Sequence, residues 1–112
     1  MWISLSELLT IVKSLGLPVF RNNAPKNTDY PYYVYLYVGQ TDKRASGRLY
    51  KSLPLYQISL FTTGTESDLL PIRKKFDEYR ISFRGFQSIQ GDENDETVTN
   101  FYTYVRCVES VE

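Results

Sequence analysis

A chain of 112 residues and 13.1 kDa has room for one domain rather than two, since single domains usually run ~100–200 residues. Hydrophobic residues at 42% and charged residues at 23% exclude global disorder, and 13 basic against 13 acidic residues exclude the overall basic bias of a protein built to grip phosphate backbone. There is no histidine, which removes the commonest general base and metal ligand, and the single cysteine, Cys107, allows neither an intrachain disulfide nor a thiolate cluster. Ten tyrosines and an aromatic content of 15% are the unusual feature. This composition argues against most enzymes and for an interaction protein.

The N-terminus lacks the basic region of a signal peptide, and its apolar stretch is interrupted by Glu7 and Lys13. No run approaches the ~18 apolar residues of a membrane-spanning helix. A soluble chain made and kept in the cytoplasm is therefore expected, with no membrane partner.

Leu5, Leu8, Leu9, Val12 and Leu15 recur at helical spacing, with Ser4 or Ser6 as N-cap, Gly16 as a left-handed C-terminal stop and Pro18 blocking continuation. Val19-Phe20-Arg21 reads as a short strand before a polar loop. Tyr32 to Val38 is the clearest strand, opened by Pro31 and closed by Gly39. Alternation divides it into a Val34/Leu36/Val38 side and a Tyr33/Tyr35/Tyr37 side. A polar loop, Gln40 to Ser52, follows. A second strand runs from about Leu55 to Thr62, with Tyr56/Ile58/Leu60 opposite Gln57/Ser59/Phe61. Thr63-Gly64-Thr65 then introduces a helix over Ser67 to Tyr79, with Leu69, Ile72, Phe76 and Tyr79 as its apolar stripe and Pro71 tolerated in its first turn. Ile81 to Ile89 is predicted as a third strand weakened by Gly85. Gly91 to Glu96 is a polar turn. The last strand, Val98 to Val108, sets Phe101/Val105/Cys107 against Tyr102/Tyr104.

The predicted architecture is one α+β domain over residues 1–112. It is a single mostly antiparallel, mixed sheet packed against two helices, in the order α-(β)-β-β-α-β-β.

Among candidate sites, the tyrosines come first. With Val34, Leu36 and Val38 placed beneath the helices, Tyr33, Tyr35 and Tyr37 point outward and Tyr102 and Tyr104 join them. Tyrosine tolerates a half-exposed strand, but five together also suit a subunit interface, because one small domain has no third layer to cover them. Next is the basic stretch, with Lys43, Arg44, Arg48 and Lys51 interleaved with Tyr50. It reads as a solvated loop, a partner-docking arm or a weak nucleic-acid contact. The acidic turn carries Asp92, Glu93, Asp95 and Glu96, yet it lacks the glycine and spacing of a calcium loop; it reads as a hairpin tip able to meet a basic partner. No histidine orients any serine, Cys107 sits in an apolar alternation and no glycine-rich phosphate loop is present, so no catalytic, metal or cofactor residues are assigned.

The order of these pieces resembles the small tail-terminator and tail-completion proteins of long-tailed bacteriophages. The similarity runs through the first amphipathic helix, the aromatic strand Tyr32–Val38, the polar stretch Gln40–Ser52 and the alternating strand Tyr56–Thr62. It continues through the helix Ser67–Tyr79 and the strands Ile81–Val108, with Leu49-Tyr50-Lys51 feeding Tyr56-Gln57-Ile58-Ser59-Leu60 as its most similar stretch. The resemblance covers nearly the whole chain and rests on pattern and length, without a chemical motif. It implies a structural virion protein assembled in the host cytoplasm. Its form would be a hexameric ring at the head-proximal end of the tail, contacting the tail-tube protein and a head-completion protein while DNA passes through without specific binding. No cofactor or small-molecule substrate is implied. The alternatives are another head–tail connector protein and a small single-stranded nucleic-acid-binding module; a carboxylate enzyme at the acidic turn is a third.

Overall fold

The computed structural model describes residues 3–45, 47–93 and 96–110, with the backbone alone at positions 43, 45, 48–51, 93, 96 and 110. Helix α1 spans Leu5–Lys13, and its start is fixed by a reciprocal cap. The Ser4 hydroxyl accepts from the Glu7 amide at 3.2 Å, and the Glu7 carboxylate accepts from the Ser4 amide at 3.2 Å. Gly16, at φ +87°, turns the chain after the helix in the left-handed conformation that favours glycine. Strand β1 (Val19–Arg21) then runs parallel to β2 (Tyr32–Ala45). Strand β3 (Arg48–Thr62) returns antiparallel to β2.

Thr65 caps a single 3₁₀ turn, Glu66–Leu69, that leads into α2 (Leu70–Glu78), with Pro71 in the first turn, where its missing amide costs nothing. Arg80, at φ +55°, ends this helix. Strands β4 (Gln87–Glu93) and β5 (Glu96–Arg106) form a hairpin, and β6 (Glu109–Ser110) adds two rungs to β3. The sheet order is β1-β2-β3-β5-β4, with β1 and β2 parallel and the remaining neighbours antiparallel. The mixed α+β architecture expected from the sequence is the one found.

Both helices lie on one side of the sheet. Leu8, Ile11 and Val12 from α1 and Ile72 and Phe76 from α2 are buried with Tyr33, Tyr56, Ile58, Leu60, Phe101 and Val105. Burial of this apolar set is the main term holding the layers together, at ~25 cal/mol per Å² removed from water.

Several predicted features differ; among them, the stretch from Gly91 to Glu96, predicted as a turn, has Gly91, Asp92 and Glu93 in β4 and Glu96 in β5, because the hairpin ladder runs almost to its tip. The stretch Gln40–Ser52 is strand, not loop: Gln40 pairs with Pro54, Asp42 with Ser52 and Ala45 with Arg48, so β2 and β3 continue as a two-stranded arm beyond the body. The arm is held mainly by its backbone ladder; β6 joins it at Lys51 and Ser52, and only at this base are described side chains, Ser52 and Leu53, buried, so its outer part needs no apolar alternation. Residues 81–86 form no strand, making only an isolated bridge at Phe83 to Val105, while Ile81 is buried and Phe83 packs edge-on to Phe76 at 5.1 Å. Tyr79 leaves the predicted stripe: it is exposed, with the Lys75 ammonium 6.0 Å from its ring. The arm makes the molecule long, 57 × 27 × 21 Å, and its radius of gyration of 15.5 Å exceeds the roughly 13 Å of a compact chain of this length.

Candidate assembly surface

The two sides of the sheet are set by register. Tyr33 stands opposite Leu60, Tyr35 opposite Ile58 and Tyr37 opposite Tyr56, so the odd-numbered tyrosines of β2 share the side of the β3 residues that pack under the helices. In β5 that side carries Phe101, Thr103 and Val105, paired with Leu60, Ile58 and Tyr56. Tyr102 and Tyr104 therefore face the other way. The expectation of one outward face holding all five tyrosines is corrected, and the orientation of β2 is the reverse of that expected.

The consequences differ by residue. Tyr33 is 1% exposed and lies in the core; burial, with the Asp68 carboxylate adding to it, pushes its phenol up to about 12. It cannot form a subunit contact without unfolding. Tyr35 is half-buried against the core, with the Arg21 guanidinium 5.7 Å from its ring. Tyr37, near the base of the arm, is exposed and donates to Gln40 Oε1 at 3.0 Å. Of the five, only Tyr102 and Tyr104 lie on the uncovered side. They meet edge to face at 6.1 Å, and the Tyr102 hydroxyl donates to Gln87 Oε1 at 2.9 Å.

Among the described residues no helix covers that second side. A row of Phe20, Val34, Ser59 and Tyr102 crosses it from β1 to β5, and a parallel row joins Tyr32, Phe61, Asn100 and Ile89. Four aromatics the sequence reading did not single out gather at one end. Tyr30 stacks on Tyr32 at 5.4 Å, Tyr32 stacks on Phe61 at 5.3 Å, and Phe20 meets Tyr32 edge-on at 5.8 Å. Val34 and Ser59, in the neighbouring row, are buried, and Ser59 Oγ accepts from Gln57 Nε2 at 3.0 Å. Ile89, on the outer strand β4, is 61% exposed. The signal that could have found this cluster was the even-numbered set of β2 read against Phe61 of β3.

The outer flank of β4 and the outer flank of β2 beyond Tyr35 have no strand neighbour among the described residues. The sheet thus offers an aromatic face and two free edges, the groups from which another chain can build further hydrogen-bonded or packed layers.

The candidate docking residues of the basic stretch occupy the arm: Lys43 and Arg44 in β2, and Arg48, Tyr50 and Lys51 in β3. Arg44 is exposed, while the side chains of Lys43, Arg48, Tyr50 and Lys51 lie outside the described ones. In the acidic hairpin Asp92 and Glu93 belong to β4 and Glu96 to β5; Asp92 is exposed and accepts from the Thr97 hydroxyl at 3.2 Å. Asp95, and the side chains of Glu93 and Glu96, lie outside the described residues. Cys107 is buried, as its alternation implied, and burial pushes its thiol up to about 11, where it is a poor nucleophile at neutral pH. Among the described residues no helix is long and apolar enough to cross a membrane.

No protein-family model matches this sequence, and no curated protein matches it either.

Proposed function

We propose that the protein is a structural assembly subunit of the tail-completion kind. In this reading a ring of copies, six by the resemblance, caps the head-proximal end of a phage tail tube. The ring ends tube polymerisation and joins the tail to head-completion proteins. DNA passes through its lumen without being gripped, in keeping with a formal net charge of zero. One observation carries the reading: a single sheet has both helices on one side, while the half-buried Tyr32, Phe61, Tyr102 and Tyr104 and the exposed Ile89 lie on the other, where another chain can cover them. Tyrosine and phenylalanine concentrate at the centres of protein interfaces because they bury much area at little entropic cost. Heterologous contacts between copies close into rings when their rotation closes. The projecting β2–β3 arm supplies the reach to a neighbour.

Electron microscopy of the purified protein, alone and mixed with tail-tube protein, tests this. Rings, and tubes capped at one end with a fixed length, are the expected images. Monomers at every concentration, with tube length unchanged, would contradict the proposal.

A second reading is favoured by the same rings, because an aromatic sheet face can stack the bases of a single strand. It predicts oligonucleotide binding that weakens steeply with salt, and quenching of tyrosine fluorescence on binding. Absence of binding at low salt eliminates it.

A further inference from the structure

The two charged hairpins lie at opposite ends of the molecule. The arm holds Lys43, Arg44, Arg48 and Lys51 with Asp42 as its one acid, whereas the stretch from Gly91 to Thr97 holds Asp92, Glu93, Asp95 and Glu96 and no base. Leu55 pairs with Arg106 and Thr62 with Thr99, so β3 runs away from the arm tip toward the end where β5 begins. At ~3.3 Å per residue, the ladder from Arg48 to Thr62 and on from Thr99 to Glu96 spans about 55 Å. That matches the longest dimension of 57 Å. Screening at physiological salt acts over only ~8 Å, so the two tips do not pair within one molecule.

Beside the acidic tip, on the uncovered face, lies a groove of about 320 Å³ lined by Tyr30, Tyr32, Phe61, Ile89, Asp92 and Asn100, among others. Asn100 Oδ1 is enclosed there without a hydrogen-bond partner. An enclosed amide oxygen calls for a donor. Aromatic walls attract a cation over their faces, and a carboxylate at the rim completes a setting for a lysine or arginine head. The groove lining itself includes no basic residue.

We propose that this groove takes a cationic side chain from the β2–β3 hairpin of a second copy, with the exposed Arg44 foremost, so that subunits join head to tail, basic arm onto acidic end. The proposal rests on the reading of the protein as self-assembling and names the contact by which it assembles. Each copy then offers one donor end and one acceptor end, the heterologous arrangement that closes into a ring or extends as a filament.

The test uses the full chain in sedimentation velocity. Association should weaken at least tenfold between about 50 and about 500 mM salt. Arm reversal (Lys43→Glu, Arg44→Glu, Arg48→Glu and Lys51→Glu) should abolish it. Reversal of the other end (Asp92→Lys, Glu93→Lys, Asp95→Lys and Glu96→Lys) should do the same. An equimolar mixture of the two variants should associate again, because each arm then meets an end of opposite sign. Asn100→Leu should weaken association at least fivefold while the dilute monomer melts no lower than the parent, since the change removes an unpaired buried acceptor. Should a reversed variant fail to fold, the salt titration and Asn100→Leu still decide. Association indifferent to salt and to these changes, or a mixture that does not recover, overturns head-to-tail pairing and leaves self-assembly standing. A parent protein that stays monomeric at all concentrations, with tube protein present, overturns both.

Discussion

Replacing Tyr33 with alanine should unfold far more of the protein's stability than the same change at Tyr102, and the contrast measures which side of the sheet is inside. Tyr33 is 1% exposed, opposite Leu60 and beneath the helices. A tyrosine buries ~150–250 Å², which at ~25 cal/mol per Å² is about 4–6 kcal/mol as an upper bound. Aromatic-to-alanine changes in cores cost ~3–5 kcal/mol once a cavity is left. Tyr102 is half-buried on the uncovered side and holds one hydrogen bond, to Gln87; its loss should cost about 1–2 kcal/mol. Urea denaturation of dilute protein, followed by circular dichroism and extrapolated linearly, reads both. With a total stability of ~5–15 kcal/mol, Tyr33→Ala should leave little of the transition while Tyr102→Ala shifts its midpoint modestly. A Tyr33→Ala cost below ~1.5 kcal/mol, or equal costs at the two sites, would refute the face assignment on which the assembly surface depends.

Other outcomes follow from single features. Ser4→Ala removes the N-terminal cap of α1 and should cost about 1 kcal/mol in the same assay, with Ser4→Asp largely retaining stability. Burial raises Cys107 from 9.0 to about 11 and Tyr33 from 10.0 to about 12, so both are favoured in the folded state as neutral acids. Their contribution is whole below pH 9 and is lost as pH rises through about 11 and then about 12; the urea midpoint should fall over that window. Tyr33→Phe with Cys107→Ala should flatten the fall, and an unchanged slope would contradict this origin. Cys107 should resist a thiol reagent in the native protein and react at once in denaturant; rapid native reaction would mean that the β5 end opens readily.

Much of the fold was legible because contrast between strand faces was strong where it mattered. In β3 apolar residues alternate with Gln57 and Ser59, in β5 Phe101 and Val105 alternate with Tyr102 and Tyr104, and in α1 Ser4 and Glu7 mark the start and Gly16 the stop. Strand β2 is apolar on both sides, Tyr33 and Tyr35 against Val34 and Leu36, so its period was readable but its inside was not. Only pairing with Leu60 and Ile58 decides it. That pairing was hidden because the polar stretch before β3 looked like a loop, which leaves the register open. The register also shifts twice, between Tyr37 and Gly39 and between Lys43 and Arg44, which no local pattern announces. The aromatic cluster of Phe20, Tyr30, Tyr32 and Phe61 joins three separate segments and exists only after the strands pair. The opposed charges of the two hairpins, by contrast, were plain in the sequence; their separation along the long axis was not.

Hydroxyl-radical footprinting of the protein, diluted to monomers and then concentrated into its assembled form, bears most directly on the claim that other chains cover the bare side of the sheet. Labelling of Phe61, Tyr102, Tyr104 and Ile89 should drop on assembly, while Leu70 and Tyr79 on the helix side stay as reactive as before. An assembly in which Leu70 and Tyr79 become protected and the aromatic side keeps its labelling would contradict the account.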